Sequence, residues 1–410
     1  MKVVIVNVHD IVGGAARAAH RLHESLTMYT DIDSTMFVQV KDSNDPSIIG
    51  PNNKFRKLIN LVKPNIEQLL LRQYHQRKLS PFSLGKYNFG SVIDHINELE
   101  PDIVHLHWIC RSMISIKELS KIRAPIVWSL HDMWPFTGGC HYDDFCGKFK
   151  TGCGACPQLG SSSTSDATKK VILAKDKAFG SIDSLTIVGL SNWLANEAKS
   201  STLFKDKCVV NLPNPIDIKV FKPADVNVCR ELWNLPLDKK IVLFGAMSAT
   251  SDTRKGFKYL EEAMQNLDDE GYYYVVFGSP VNKVTESVRY IGSLTDDISL
   301  ASLYSSADVV VLPSVQENLS NMVLESIACG TPVVAFDIGG NSDLINNREN
   351  GYLAKAYNSN DLASGISWCL EQKEIDLRTN ARAKALEFSY ESVSESYYKL
   401  YTSIMDKVND

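Results

Sequence analysis

Short β-branched, apolar runs punctuate this chain, and amphipathic stretches fill the intervals between them. Residues 2–8 (Lys-Val-Val-Ile-Val-Asn-Val), 35–40, 102–108, 125–132 and 185–190 are such runs in the first half. Residues 240–245, 273–277, 307–312 and 333–336 are their counterparts in the second. Runs that are apolar throughout, rather than alternating, read as strands buried on both faces. Helical segments follow them: one near 167–180, one opening at Ser191, and one capped by Ser320 with Met322, Val323 and Ile327 on its apolar face and Gly330 as its C′ residue. Residues 211–217 (Asn-Leu-Pro-Asn-Pro-Ile-Asp) carry two prolines and read as a hinge. Strands followed by helices over 410 residues fit two α/β domains.

The stretch 313–340 concentrates the chemistry. A buried strand ends at Pro313, a polar loop follows, and the helix begins at Ser320. A helix N-terminus directly after a strand favours anions, through its backbone N–H groups and its dipole. Glu317 lies before the first turn and Glu325 inside the helix. Two carboxylates beside a phosphate site suit a ligand with hydroxyls at both ends and phosphates between them, which describes a nucleotide-sugar.

Glu317 and Glu325, followed by Cys-Gly-Thr-Pro-Val-Val-Ala at 329–335 and by Gly339-Gly340, resemble the donor-site motif of the family 4 glycosyltransferases. The resemblance extends over nearly the whole chain. It implies the GT-B fold: two Rossmann-like domains facing each other across a cleft. The first would be 1–213, the second, nucleotide-sugar-binding one 214–388, with a helix from about 389 to 410 crossing back onto the first. It implies a retaining enzyme that moves a sugar from a nucleotide-diphosphate sugar to a saccharide or lipid-linked acceptor in surface polysaccharide biosynthesis.

By that resemblance Glu325 holds the ribose hydroxyls and Glu317 the sugar hydroxyls. Asn318, Leu319 and Ser320 lie along the donor, Lys255 binds the diphosphate as a point charge, and Gly292 and Leu294 meet the nucleobase. Gly14, after the first strand, lies near diphosphate or acceptor, or belongs to an ordinary tight turn. His131 is the histidine near the transferred sugar, which makes His131, Glu317 and Lys255 the catalytic set. The usual arginine position holds Ala246, leaving Arg254 to supply the charge. The block His131-Asp132-Met133-Trp134-Pro135-Phe136-Thr137-Gly138-Gly139-Cys140 resembles a subgroup from bacterial polysaccharide pathways. Two other classes remain open: an epimerase or hydrolase of the same architecture, and a non-catalytic nucleotide-sugar binder.

Charge modifies this picture in one respect. The whole-chain net of −5 divides into 25 Lys+Arg against 20 Asp+Glu in residues 1–215, and 18 against 28 in the remainder. The first half is mildly basic, too little so for nucleic acid. Its stretch 54–78 has seven Lys and Arg against one Glu, many Leu and Ile, and Pro64 dividing two helices. It reads either as a peripheral attachment to an anionic membrane or as an amphipathic pair packed on the core. With no long apolar run and no signal-peptide pattern, the expected place is the cytoplasm, including the inner face of the plasma membrane. Of nine cysteines, Cys140, Cys146, Cys153 and Cys156 fall close together. The Cys-x-x-Cys pair suggests a structural zinc, with His141 as a substitute ligand and four free thiols as the alternative. The family resemblance implies that the chemistry itself needs no cofactor.

Overall fold

The computed structural model describes residues 1–51, 67, 69–78, 80–88, 90, 92–245, 252–267, 271–278 and 284–409. It comprises two compact units, Met1–Asn214 with Val393–Asp410, and Pro215–Ser392.

The first unit holds strands β1 (Lys2–His9), β2 (Asp33–Val40), β3 (Ile48–Ile49), β4 (Ile103–Leu106), β5 (Ile126–Leu130), β6 (Leu185–Gly189) and β7 (Cys208–Asn211), in the order β3-β2-β1-β4-β5-β6-β7. Every pairing is parallel. Because successive strand residues point to opposite faces, β1 feeds two cores. Val4, Val6 and Val8 join Trp128, Trp134 and Phe179 on one side. Val3 and Ile5 join Leu22, Leu26 and Val127 on the other. The second core is closed by the helix Tyr390–Asn409, whose Val393, Tyr397, Tyr401 and Ile404 form one stripe at helical spacing.

The second unit holds β8 (Lys240–Gly245), β9 (Tyr272–Phe277), β10 (Val288–Ile291), β11 (Val309–Leu312), β12 (Val333–Phe336) and β13 (Gly351–Ala354), in the order β10-β9-β8-β11-β12-β13, again parallel throughout. Counted from its own first strand, each sheet therefore reads third, second, first, fourth, fifth, sixth, and the first sheet adds a seventh strand at the far edge. Strand order reverses between β1 and β4 in one unit and between β8 and β11 in the other. In open α/β sheets the crevice beyond the strands' carboxyl ends at such a reversal is where ligands bind.

Much of 54–78, like Ala246, lies outside the described residues. Of the rest, Leu71 is fully buried in the core of the first unit, Leu70 packs against it, and Leu69 is 53% exposed. Glu67 is buried and accepts the backbone N–H groups of Leu84 and Lys86 at 3.1 and 3.0 Å. Among the described residues no helix is long and apolar enough to cross a membrane.

Candidate functional site

In the C-terminal unit β11 delivers the chain to Pro313, and the loop to Ser320 is held in place by backbone. Val315 N–H donates to the Arg254 carbonyl at 2.8 Å. Gly256, at φ 70°, lies so close that a Cβ there would meet the Pro313 carbonyl oxygen at 1.8 Å; a Cβ on Gly339, at φ 56°, would meet that of Glu317 at the same distance. Only glycine tolerates both the left-handed backbone and the approach. Ser320 caps the helix Asn321–Ala328, its hydroxyl accepting from Val323 N–H at 3.4 Å, and Gly330 past its end has φ 75°.

This clamp brings two of the sequence candidates together. Lys255 Nζ lies 3.2 Å from Glu317 Oε2, with side chains 27% and 12% exposed. Asn318, Leu319 and Ser320 are buried beside them in sequence. Glu325 is buried one turn into the helix, where its carboxylate accepts from Tyr304 Oη at 3.0 Å. Arg254 is engaged elsewhere: its Nε and Nη2 bind the two oxygens of Asp252 at 3.1 and 2.7 Å. That guanidinium lowers the Asp252 carboxyl below its usual range against the opposing push of burial. The charge that Arg254 would bring in place of the missing arginine is thus shared with a carboxylate two residues away. Gly292 and Leu294 follow β10 half-buried, the Gly292 carbonyl accepting from Gly278 N–H at 2.9 Å.

In the N-terminal unit Gly14 opens the helix Gly14–Tyr29, exposed, after Gly13 at φ 97°. His131 lies immediately beyond β5, half-buried, with Nε2 2.8 Å from His107 Nδ1. Burial brings His131 down to about 4 and His107 well below the usual imidazole value, so both are neutral at pH 7. Behind them His105 uses both nitrogens, on Tyr401 Oη at 2.7 Å and Ser129 Oγ at 2.8 Å, and burial takes it to about 3. The next residue, Asp132, accepts from Trp108 Nε1 at 2.8 Å and the Trp134 backbone N–H at 2.8 Å, and bonds His141 Nδ1 at 2.6 Å. Burial pushes Asp132 up, but His141 and these donors hold it below the usual carboxylate range. His107, Asp132, Trp108 and His105 were not singled out by sequence reasoning. The available signal was His105-Leu106-His107, two histidines at strand spacing in a run otherwise buried and apolar.

The cysteine loop is tightly built. Gly152, Cys153, Gly154 and Ala155 all have positive φ, and Lys148 Nζ and Lys169 Nζ donate to carbonyls of this turn. Backbone N–H groups face three of the sulfurs: Lys148 toward Cys146, Gly138 toward Cys153, and Gln158 and Leu159 toward Cys156. Burial raises all four thiols, Cys153 to about 11, and repulsion from neighbouring cysteines adds to it at Cys140, Cys153 and Cys156. The four are free thiols, and among the described residues no group of three or more His, Cys, Asp or Glu could hold a metal ion. The four-thiolate expectation for Cys140, Cys146, Cys153 and Cys156 thus finds no formed site. His141 as a substitute ligand is corrected, since Asp132 takes its Nδ1 and Ser83 Oγ its Nε2 at 3.0 Å.

Comparison with known proteins agrees with this architecture. Residues 238–372 match the family described as Glycosyl transferases group 1. The N,N'-diacetylbacillosaminyl-diphospho-undecaprenol alpha-1,3-N-acetylgalactosaminyltransferase of Campylobacter jejuni is 32% identical over 206 residues, covering 47% of this chain and 54% of that protein. The chain spans about half the length of the curated relatives it matches first. Sucrose-phosphate synthase from Thermosynechococcus elongatus superposes with a TM-score of 0.69 at 19% identity over 99% of both chains. Anabaena HepE in complex with UDP-glucose superposes at 0.64 and 17% identity, over 98% of this chain and 100% of that one. Residues 238–372 thus match the group 1 glycosyltransferases, and the chain as a whole has the two-domain α/β GT-B fold.

Proposed function

We propose that this protein is a retaining glycosyltransferase that moves a sugar from a nucleotide-diphosphate sugar to a saccharide or lipid-linked acceptor in the synthesis of a surface polysaccharide. The observation that carries the reading is the Lys255–Glu317 pair at 3.2 Å, beside a capped helix N-terminus beyond β11. A diphosphate leaving group gains negative charge as the glycosidic bond breaks. Preorganised positive charge at that point stabilises the transition state more than the ground state. Lys255 supplies a point charge and the start of the helix Asn321–Ala328 a dipole. Glu317, held by its backbone against Gly339, offers a carboxylate to sugar hydroxyls, and Glu325 with Tyr304 an acceptor for the ribose. His131 offers a neutral imidazole to a sugar or acceptor hydroxyl. Retention follows when the departing phosphate oxygen takes the acceptor proton on the face it leaves, so no protein base is required. Support for a lipid-linked acceptor comes from the Campylobacter relative, which is named for transfer to a diphospho-undecaprenol-linked saccharide.

Incubation with a panel of nucleotide-sugars, with and without lipid-linked saccharides, tests the reading. Acceptor-dependent release of nucleotide and a product of the donor's anomeric configuration are expected. Nucleotide released or donor isomerised without acceptor would make it a hydrolase or epimerase, and tight binding without turnover a sensor. An inverted product would overturn retention alone.

A structural zinc on the four cysteines belongs to the same reading. Its support is the Cys-x-x-Cys spacing, the N–H groups facing sulfur, and the fully buried Lys175 nearby, whose ammonium thiolates would compensate. Against it stands the lack of a gathered ligand set. Elemental analysis should find about one zinc per chain on a tetrathiolate site; metal-free protein of unchanged stability returns the loop to free thiols.

A further inference from the structure

His107 has no part in the reading above, and its placement is costly. Its ring is buried and its backbone is pinned on both sides, the N–H donating to the Val6 carbonyl at 2.9 Å and the carbonyl accepting from Trp128 Nε1 at 3.0 Å. The ring lies between two other imidazoles, with centroids 4.4 Å from His105 and 5.1 Å from His131. Nδ1 meets His131 Nε2 at 2.8 Å, while Nε2 is buried without a hydrogen-bond partner among the described residues. Burying an unpaired ring nitrogen is unfavourable, so something should be gained by keeping a histidine here.

The gain is visible in the proton count. A neutral imidazole carries one N–H, on either nitrogen. If His107 donates from Nδ1, His131 accepts at Nε2 and must carry its own proton on Nδ1. If His131 donates from Nε2, His107 must carry its proton on the buried Nε2. The two rings therefore share a tautomer. The second arrangement buries an N–H with no acceptor, whereas the first leaves only a bare lone pair, and orphaned buried donors are the rarer of the two in proteins. The remaining nitrogen of His131, Nδ1, has no partner among the described residues and is not among the buried unsatisfied atoms, so it is the edge left open.

We propose that His107 is a positioning residue for His131, fixing its ring plane and holding it as the Nδ1–H tautomer, so that the open edge of His131 is a hydrogen-bond donor. The donor would address an oxygen of the sugar or of its acceptor and would not act as a base. His105 backs the stack: Tyr401 and Ser129 occupy both of its nitrogens, and Ser129 Oγ also meets Tyr397 Oη at 3.2 Å. Asp132 adjoins His131 but is committed to Trp108, Trp134 and His141, which keeps it from taking over the role of His107.

The proposal rests on the reading of His131 given above only where turnover is concerned, so its test has two arms. In the full-length protein labelled with 15N-histidine, the His131 signals are identified by their loss in His131→Gln. They should show a protonated Nδ1 and a bare Nε2. A proton on Nε2 in the wild type overturns the proposal whether or not the protein transfers sugar. His107→Phe keeps a flat aromatic ring, somewhat larger, and removes the donor, and should leave His131 with a mixture of tautomers. His107→Asn places an amide N–H near the position of Nδ1 and should restore the single tautomer; it also serves if the phenylalanine variant does not fold. In the turnover arm His107→Phe should lower kcat about tenfold at unchanged KM for the donor, and His107→Asn should recover most of it. Equal kcat in wild type and His107→Phe, with the tautomer changed, would show that His131 does not act through that edge. An inactive wild type with the expected tautomer would count against the proposed function alone.

Discussion

At the strand reversal of the N-terminal sheet the candidate groups are neutral rings, backed by one carboxylate that is fully hydrogen-bonded. At the same point of the C-terminal sheet they are ions, Lys255 against Glu317, beside a helix start. The two sheets share a strand order, so topology accounts for where each cluster lies and not for its charge. The charge follows from burial. His105 and His107 are almost wholly shielded, and burial lowers their affinity for a second proton, whereas Lys255 and Glu317 are partly exposed and meet each other. One scaffold therefore yields a hydrogen-bonding surface in one unit and an electrostatic one in the other.

Acid is the strongest way to break this contrast. His105 and His131 sit at about 3 and 4 against an ordinary 6.5, so the unfolded chain binds protons that the folded one refuses. Their contribution is present above pH 6.5 and is lost as pH falls, to about 4 for His131 and about 3 for His105, on the order of several kcal/mol in all. Thermal unfolding followed across that window should show the N-terminal unit failing first. A midpoint independent of pH between 6.5 and 4 would mean that the rings are solvated.

Next come the ions. Lys255→Ala and Glu317→Ala should each lower transfer about a hundredfold or more, roughly 3 kcal/mol in transition-state stabilisation. Steady-state kinetics with saturating acceptor would show it, and wild-type turnover in both variants removes the pair from the reaction. Glu325→Ala should act on binding instead, weakening donor affinity by about 1–3 kcal/mol and leaving Tyr304 Oη without its acceptor. Calorimetric titration with the donor nucleotide reads this directly, and unchanged affinity would confine Glu325 to packing. The smallest effect belongs to Arg254→Ala. A partly exposed guanidinium already matched to Asp252 contributes about 0–1 kcal/mol, so turnover should change only a few-fold. A larger loss than for Lys255→Ala would move the working charge one residue back.

These residues also mark how far the sequence could be read. Local rules sufficed for the strand ending at Leu312, the Ser320 cap and the left-handed Gly330, because each depends on a few neighbouring residues. They sufficed for the two-domain α/β fold, because apolar runs of that length have few other uses. They failed where a partner is remote or unexpectedly near. His107 meets His131 across 24 positions and Lys255 meets Glu317 across 62, and no periodicity encodes either meeting. Asp252 captures Arg254 across two, a local competition visible in the sequence once the turn Thr253–Lys255 is known. His141, adjacent to Cys140, looked like a metal ligand from spacing alone, but the fold turns it to Asp132 and Ser83.

The helix Tyr390–Asn409 carries a consequence for how the protein is made. Its tyrosines supply the hydroxyls that satisfy His105 and Ser129, and its apolar stripe seals the core against Val3 and Ile5. Residues at the start of the chain thus wait for residues at its end, with 296 positions between His105 and Tyr401. A ribosome that has released the whole of the first sheet has not yet released what completes it, so this unit can close only after Pro215–Ser392 has emerged. The C-terminal unit, contiguous from Pro215 to Ser392, can consolidate during that wait. Chains arrested before residue 390 should accordingly yield a protease-resistant second unit and a first unit still open to cleavage; resistance of the first unit in such chains would show that it closes without the helix.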